Sequence, residues 1–374
     1  MKLFDVYPLY DVTPVKADGC YVWDDKNEKY LDLYGGHGVI SIGHKHPHYV
    51  KTITEQLDTI GFYSNAVQNP LQKQLAEKLG RLSACEDYNL FLVSSGAEAN
   101  ENALKVASFY NQKSRVIAFS SGFHGRTSAA VAVTDNKNII APINAHNPVT
   151  ILPLNDVQAL ESELKKGDVS SVIIEGIQGV GGLDEGTPAF FKSLETLCKQ
   201  YEALLILDEI QSGYGRSGKF FAFQHHTIKP DIITTAKGMG NGFPIGGVLI
   251  GEHIEAKYGM LGTTFGGSHL ACAAAIAVLD VLEEENLMAN VNEVSEYFKN
   301  EVSDLPGVKQ IKGNGLMLGL EFDFEVGDLR KELIYNEKIF TGGAMNKKLL
   351  RILPPLNVTK KDIDVFVNAL KKLL

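Results

Sequence analysis

Short hydrophobic runs recur through the middle of the chain, and segments with helical spacing alternate with them. Residues 97–110 carry Ala99, Ala103, Val106 and Tyr110 on one helical face, and 190–201 is a second such segment. Strands that alternate with helices are typical of right-handed crossovers and a mainly parallel sheet. The predicted strands are Leu90–Val93, Val116–Phe119, Ser171–Glu175, Leu204–Leu207, Ile232–Thr235 and Gly247–Ile250.

The flanking regions have a different pattern. The segment CYVWDDKNEKYLDLYGG predicts a hairpin with its turn at 25–27. Helical spacing recurs at 50–59, at 71–82 and in a long segment after residue 266. The remainder alternates helices with strand-like pieces such as Gly315–Phe322 and ends in a helix over 360–374.

Composition excludes several classes of protein. The chain has 374 residues, 44% of them hydrophobic and 22% charged, as in ordinary globular proteins, and this length predicts two domains. The net charge of −9 argues against sequence-independent nucleic-acid binding. No apolar run could span a bilayer, and the first residues lack a signal-peptide core. Four scattered cysteines without a C-x-x-C pair predict reduced thiols and a cytoplasmic protein.

Two strand ends carry the candidate chemistry. Asp208 ends one apolar run and Lys237 follows another, and ligands of parallel sheets gather at the carboxyl ends of strands. Pyridoxal phosphate needs a lysine that bonds to its aldehyde carbon and a carboxylate that keeps its ring nitrogen protonated. The pair therefore indicates this cofactor, although a surface acid and a surface lysine are the alternative. The glycines at 238, 240 and 242 precede a strand and not a helix, so they do not form a dinucleotide-binding fingerprint.

Two further segments offer cofactor or substrate contacts. Ser95, Gly96 and Ala97 begin a predicted helix, whose free N–H groups suit a phosphate, although an ordinary strand-to-helix connection is the alternative. Phe123 and Arg126 follow a strand, where an aromatic ring can stack on a planar ring and a guanidinium can bind a carboxylate. Core packing and a surface ion pair are the alternatives for these two residues.

A histidine-rich segment, GHKHPHY, alternates His44, His46 and His48. In an extended conformation the three side chains would share one face. A zinc site usually gathers ligands from separate elements, so we favour a loop that leads into a helix and predict no metal.

The segments LLILDEIQSGYGRSG and AKGMGNGFPIGG resemble the class III pyridoxal-phosphate aminotransferases, and most of all the acetylornithine aminotransferase group. The resemblance covers almost the whole chain. It implies fold type I: a large domain with a mainly parallel, seven-stranded type of sheet, at 51–271, and a smaller α+β domain from 1–50 and 272–374. It also implies a homodimer that acts on small molecules. The net charge and the lack of a long apolar run predict no nucleic-acid or membrane partner.

The resemblance assigns a role to each matching residue. Lys237 would hold the cofactor and move protons, and Asp208 would contact the ring nitrogen. The implied cofactor contacts are Ser95, Gly96 and Ala97 at the phosphate, Phe123 on the ring, Gln211 at the ring hydroxyl, and Thr264 reaching the phosphate of a second subunit. The implied substrate contacts are Arg126, Thr263, Arg351 and Glu175.

One motif departs from the family. The chain has E-G-I-Q-G-V-G-G from Glu175 to Gly182, where the usual pattern resembles E-P-x-Q-G-E-G-G. Val180 therefore replaces a glutamate that pairs with an arginine matching Arg351 in relatives. A buried guanidinium without its carboxylate is costly, so a substrate carboxylate would complete the pair. Neutral drift, with Arg351 paired elsewhere, is the alternative.

The predicted activity is transfer of the 5-amino group between N-acetyl- or N-succinylornithine and 2-oxoglutarate, in arginine biosynthesis. The Val180 departure favours the succinyl substrate, and the overall resemblance favours the acetyl one. Other hypotheses stay open: an ornithine- or 4-aminobutyrate-type aminotransferase, another pyridoxal-phosphate reaction such as racemisation or decarboxylation, and a non-catalytic relative.

Overall fold

The computed structural model describes residues 1–374 and contains three β-sheets. The largest has seven strands in the order β4-β10-β9-β8-β7-β5-β6. The smaller sheets are β1-β2-β3-β13 and β11-β12-β14. The strands are β1 Pro14–Asp18, β2 Tyr21–Asp24, β3 Lys29–Asp32, β4 Tyr88–Val93, β5 Arg115–Phe119, β6 Val149–Leu152, β7 Val169–Glu175, β8 Leu204–Asp208, β9 Ile232–Thr235, β10 Gly246–Gly251, β11 Val308–Asn314, β12 Met317–Phe322, β13 Ile339–Phe340 and β14 Leu349–Ile352.

The seven-stranded sheet confirms the prediction of a mainly parallel sheet. Strands β6, β5, β7, β8 and β9 are parallel neighbours, and only β10 runs antiparallel to β9 and β4. Parallel strands end at the same edge, so Glu175 and Asp208 lie side by side as partners in the β7–β8 register. The chain turns back from Lys237 into β10 without a crossover helix, which is why β10 alone is reversed.

Helices cover both faces of this sheet. The α-helices are α1 Gly35–Gly38, α2 Pro47–Thr59, α3 Pro70–Ser83, α4 Gly96–Asn111, α5 Ser128–Ala132, α6 Val157–Leu164, α7 Pro188–Gln200, α8 His269–Glu284, α9 Leu287–Val302, α10 Gly327–Tyr335 and α11 Lys360–Leu373. Single 3₁₀ turns are formed by Lys137–Ile139, Pro142–Asn144, Ala222–His225 and Lys237–Met239. None of the helices combines the length and apolar character that crossing a membrane requires.

Alternating side chains of β8 separate two cores. Leu204 and Ile206 pack in the cluster that contains Ala99, Ala103 and Val106 of α4. Leu205 and Leu207 face the opposite way into a cluster of 64 buried residues, which includes the apolar residues of α7. Burial on both faces explains the continuous apolar run at 204–207.

The smaller sheets hold the two ends of the chain together. The predicted hairpin is present as antiparallel β2 and β3, and β13 adds to β3 in parallel. The strand-like piece predicted at 315–322 is β12, and Gly315, with a φ of +58°, turns the chain back from β11. The predicted domain boundaries at 50/51 and 271/272 fall within α2 and α8, so that division stays a prediction.

Candidate active site

A cavity of about 430 Å³ opens at the carboxyl edge of the large sheet. Its walls come from the ends of β4, β5, β7, β8 and β9 and from the first turn of α4. Nine of the twelve residues predicted to form the site line it. They are Ser95, Gly96, Ala97, Phe123, Arg126, Glu175, Asp208, Gln211 and Lys237. Segments from five strand ends therefore converge on one space.

Asp208 is a buried carboxylate held by three donors. Its side chain is 3% exposed, and its Oδ2 accepts hydrogen bonds from Asn100 Nδ2 at 2.8 Å and from His124 Nδ1 at 2.8 Å. Its Oδ1 accepts a bond from the Ile210 backbone N–H at 3.1 Å. These bonds fix the orientation of the carboxylate at the cavity wall and stabilise its charge.

Sequence reasoning missed His124 and Asn100, which hold Asp208 in place. Both lie inside motifs already quoted for other residues, S-G-A-E-A-N and F-H-G-R, which was the available signal. Burial disfavours the charged imidazole of His124, but the hydrogen bond and charge of Asp208 outweigh it and raise the His124 pKa. Asn100 also accepts a bond from Thr234 Oγ1 at 2.7 Å and donates one to the His124 carbonyl at 2.7 Å.

Lys237 follows β9 in an unusual backbone conformation. Its φ is +43°, in the left-handed region that non-glycine residues seldom adopt, and such strain is concentrated at functional sites. Burial lowers the pKa of the Lys237 amine; Asp208 and Glu175 oppose this, and Arg351 adds to it. A lysine with a lowered pKa is a better nucleophile and base near neutral pH.

The first turn of α4 presents backbone donors to the cavity. The Ser95 side chain caps the helix by accepting a bond from the Glu98 N–H at 3.2 Å. The N–H groups of Gly96 and Ala97 precede the first intrahelical bond and are therefore free to bind an anion. A Cβ on Gly96 would lie 2.8 Å from the Ile210 side chain, so only glycine fits at this turn.

Glu175 braces the loop that carries Phe123. Its two carboxylate oxygens accept bonds from the backbone N–H groups of Phe123, at 3.0 Å, and Gly179, at 2.8 Å. Burial raises the pKa of Glu175 to about 7, with His124 opposing this shift and Asp208 adding to it. Phe123 lines the cavity beside Arg126, whose side chain is exposed.

Arg351 lies behind Gln211 and is 3% exposed. It donates to the carbonyls of Gly343 at 2.5 Å and Gly179 at 2.6 Å, and to Gln211 Oε1 at 3.3 Å. No carboxylate lies within ion-pair distance of its guanidinium, and burial lowers its pKa. Val180, which lines the cavity, stands next to the carbonyl that Arg351 binds.

Three predicted residues, Arg351, Thr263 and Thr264, are not among those that line the cavity. Thr263 donates to Glu98 Oε1 at 3.1 Å, and Thr264 is exposed. Their predicted roles, and those of the lining residues, stay predictions.

The three alternating histidines precede and begin α2, as expected for a loop that leads into a helix. They contact three different carboxylates: His44 contacts Asp32, His46 contacts Glu285 and His48 contacts Asp280.

Comparison with known proteins identifies the family. The family model described as aminotransferase class III matches residues 6–374. The chain belongs to the class III aminotransferases. This confirms the resemblance seen in the sequence and the pyridoxal-phosphate-dependent transferase fold, and the protein is therefore an aminotransferase.

Several class III aminotransferases cover nearly the whole chain. The acetylornithine aminotransferase of Bacillus subtilis is 39% identical, covering 99% of this chain and 97% of that protein. The [LysW]-aminoadipate semialdehyde/glutamate semialdehyde transaminase of Sulfolobus acidocaldarius is 34% identical, covering 100% of this chain and 97% of that protein. A Toxoplasma gondii ornithine aminotransferase structure, described with partial occupancy of PLP at its active site, has a TM-score of 0.88 and 28% identity, covering 97% of this chain and 90% of that one.

Proposed function

We propose that this class III aminotransferase moves the 5-amino group between an N-acylornithine and 2-oxoglutarate, with pyridoxal phosphate as its cofactor, in arginine biosynthesis. The observation that carries the proposal is the convergence of Asp208, Lys237 and the α4 N-terminus on one cavity. The name of the Bacillus subtilis relative supports an acylated ornithine as the substrate.

The cavity fits the cofactor in size and in chemistry. Its volume of about 430 Å³ falls within the range of small-molecule sites. The N–H groups of Gly96 and Ala97 suit the phosphate, and the buried Asp208 carboxylate suits a protonated ring nitrogen. Lys237 has an amine with a lowered pKa, which would form the covalent bond to the aldehyde carbon of the cofactor. When bound, the cofactor withdraws electrons from the carbon that bears the substrate amine.

The residues of this chain do the remaining work. Asp208, held by His124 and Asn100, would place negative charge beside the ring nitrogen. Once the substrate amine has replaced it at the cofactor, the Lys237 amine would take a proton from the amine-bearing carbon of the donor. In the second half-reaction it would deliver a proton to the carbon of the acceptor that receives the amine, so that it acts as general base and general acid. Phe123 and Gln211 line the cavity, where Phe123 would stack on the ring and Gln211 would bond the ring hydroxyl. Glu175 holds the Phe123 backbone and contributes to the substrate side of the cavity.

Arginines supply the binding sites for substrate carboxylates. Arg126 is exposed at the cavity and suits the α-carboxylate of the acylornithine. Arg351 suits a carboxylate of glutamate or 2-oxoglutarate, because it is buried and has no carboxylate partner in this chain.

We further propose a homodimer in which Thr264 reaches the phosphate of the second subunit and Thr263 contacts substrate. The exposed rings of Phe62 and Phe265, 44% and 65% exposed, contact each other at 5.5 Å between centroids beside this loop. An exposed aromatic pair supports burial against a second copy. The division into domains at 51–271 and at 1–50 with 272–374 is part of the proposal.

Four buried, unpaired cysteines support a cytoplasmic location.

The test is a panel of amino donors with 2-oxoglutarate as acceptor, using the cofactor-loaded protein. We expect turnover of N-acylornithines to exceed that of ornithine and 4-aminobutyrate. Glutamate alone should convert the bound cofactor to its amine form. The absorbance of the lysine-bound cofactor near the edge of the visible range should then be lost. Absence of both results in a folded, cofactor-loaded protein would contradict the proposal.

A further inference from the structure

A second arginine lies beside Arg351, and it belongs to no motif. Arg330 is half-buried on α10, and its Nη2 donates to the Thr341 carbonyl at 3.1 Å. A Cβ on Gly343 would meet its Nη1 at 2.7 Å, and the carbonyl of that glycine accepts a bond from Arg351. The two guanidiniums therefore lie on either side of one short backbone segment, and the charge of Arg330 adds to burial in lowering the Arg351 pKa.

Neither guanidinium has an acidic partner. Elsewhere in the chain, Arg81 bonds both oxygens of Glu283, and Arg115 bonds Asp168 in the same way. No carboxylate lies within ion-pair distance of Arg330 or Arg351, although two adjacent cations repel each other. Such a pair is stable when an anion joins it.

Unpartnered polar atoms mark the same place. Arg330 Nε is buried and makes no hydrogen bond. Thr341 is only 2% exposed, and its Oγ1 also makes no hydrogen bond. Arg351 Nη2 donates to no protein acceptor. Buried polar groups are almost always bonded, so unpartnered polar atoms beside two cations point to a ligand.

The position relative to Lys237 indicates which part of a substrate reaches Arg330. Arg351 lies against the cavity wall, because it bonds the side chain of Gln211, which lines the cavity, and the Gly179 carbonyl. Arg330 makes no hydrogen bond to a residue that lines the cavity: it bonds the Thr341 carbonyl and is more exposed than Arg351. Arg330 therefore lies farther from the reacting amine than Arg351, toward solvent.

We propose that Arg330, with Arg351, forms an anion subsite that binds a carboxylate at the far end of the substrate's acyl group. This inference rests on the proposed function and identifies the substrate class as an ornithine whose α-nitrogen carries a dicarboxylic acyl group, such as succinyl. With Arg126 assigned to the α-carboxylate, an acetyl group leaves the guanidiniums of Arg330 and Arg351 without an anion, whereas a succinyl group supplies one.

The experiment compares cofactor-loaded parent, Arg330→Gln, Arg330→Lys and the control Lys331→Gln. Lys331 is the next residue on α10, is 60% exposed and pairs with Asp328. Its substitution therefore removes one positive charge at a position outside the subsite. The kcat/KM values for N-succinylornithine and N-acetylornithine are measured with the amino acceptor saturating, and the KM for the acceptor is measured separately. Loss of one charge-assisted bond in Arg330→Gln predicts about a 30-fold drop in kcat/KM for N-succinylornithine. The kcat/KM for N-acetylornithine should change by less than about threefold. Arg330→Lys should fall between, and the control should match the parent.

Equal losses for both substrates would overturn the proposal, because they would indicate a structural role for Arg330. A change confined to the acceptor KM would also overturn it, because the subsite would then serve the acceptor. Calorimetric titration with N-succinylnorvaline and N-acetylnorvaline, which lack the reacting amine, tests the subsite without turnover. If the parent turns over neither acylornithine, the proposed function fails, and the subsite stands only if Arg330→Gln weakens the succinyl ligand selectively.

Discussion

Replacing Asp208 with asparagine removes one charge and keeps the shape of the side chain. The carboxylate accepts three hydrogen bonds, two at Oδ2 and one at Oδ1. An amide has one acceptor oxygen, which can serve Asn100 and His124 together. Its NH₂ group then faces the Ile210 N–H, 3.1 Å away in the parent, so one bond is lost and two donors oppose each other.

This geometry sets the expected magnitudes. One lost hydrogen bond with an unsatisfied buried donor costs about 1–2 kcal/mol, which leaves the protein folded because a domain has about 5–15 kcal/mol of stability. The loss of charge beside the ring nitrogen should lower kcat/KM by about 10²–10³-fold, as for other preorganised electrostatic groups. The His124 pKa should fall, because the charge of Asp208 would no longer oppose the effect of burial.

The assay combines urea unfolding of the cofactor-free protein with kcat/KM and cofactor absorbance of the loaded protein. Glu209→Gln is the matched control. Glu209 is the adjacent, fully buried acid, and it accepts bonds from Ser212 Oγ and from the N–H groups of Ala222 and Phe223, away from the cavity. The Glu209→Gln variant should lose about 1–3 kcal/mol of stability and keep its kcat/KM within about threefold of the parent value. A parent-like rate in folded, loaded Asp208→Asn would refute the electrostatic role of Asp208.

Three further predictions concern neighbouring residues. Lys237→Ala should abolish transamination in a folded protein, measured as glutamate turnover; appreciable turnover would remove Lys237 from the chemistry. Val180→Glu should supply Arg351 with a carboxylate and lower the succinyl-to-acetyl ratio of kcat/KM for the acylornithines. If the parent prefers the acetyl substrate and the variant has the same ratio, the role of Val180 is contradicted. For Glu175, the folded pKa of about 7 exceeds the ordinary 4.5, so this group's contribution to the free energy of unfolding falls as pH rises from about 4.5 to about 7. The stability of Glu175→Gln relative to the parent should therefore increase over that range in urea unfolding, and a constant difference would show that the pKa is not raised.

Local sequence patterns predicted six of the seven strands of the large sheet, all but β6, and most of the cavity. Runs such as Leu204–Leu207 are apolar on both faces, which predicts buried parallel strands, and the observed β8 extends this run by one residue. Parallel strands end at one edge, so Asp208 and Lys237 could be expected together from their positions after two such runs. Because the strands are parallel, the direction of the chain alone places both residues at the same edge of the sheet.

Contacts between distant residues were decided by the tertiary structure. His124 meets Asp208 across 84 positions, and no local period relates them. Strand β13 has two residues, too short to give a periodic pattern, yet its pairing with β3 leads into Thr341 and Gly343, the backbone segment between Arg330 and Arg351. A short strand is specified by its neighbours and not by its own sequence, so the paired guanidiniums exist only once the chain has folded.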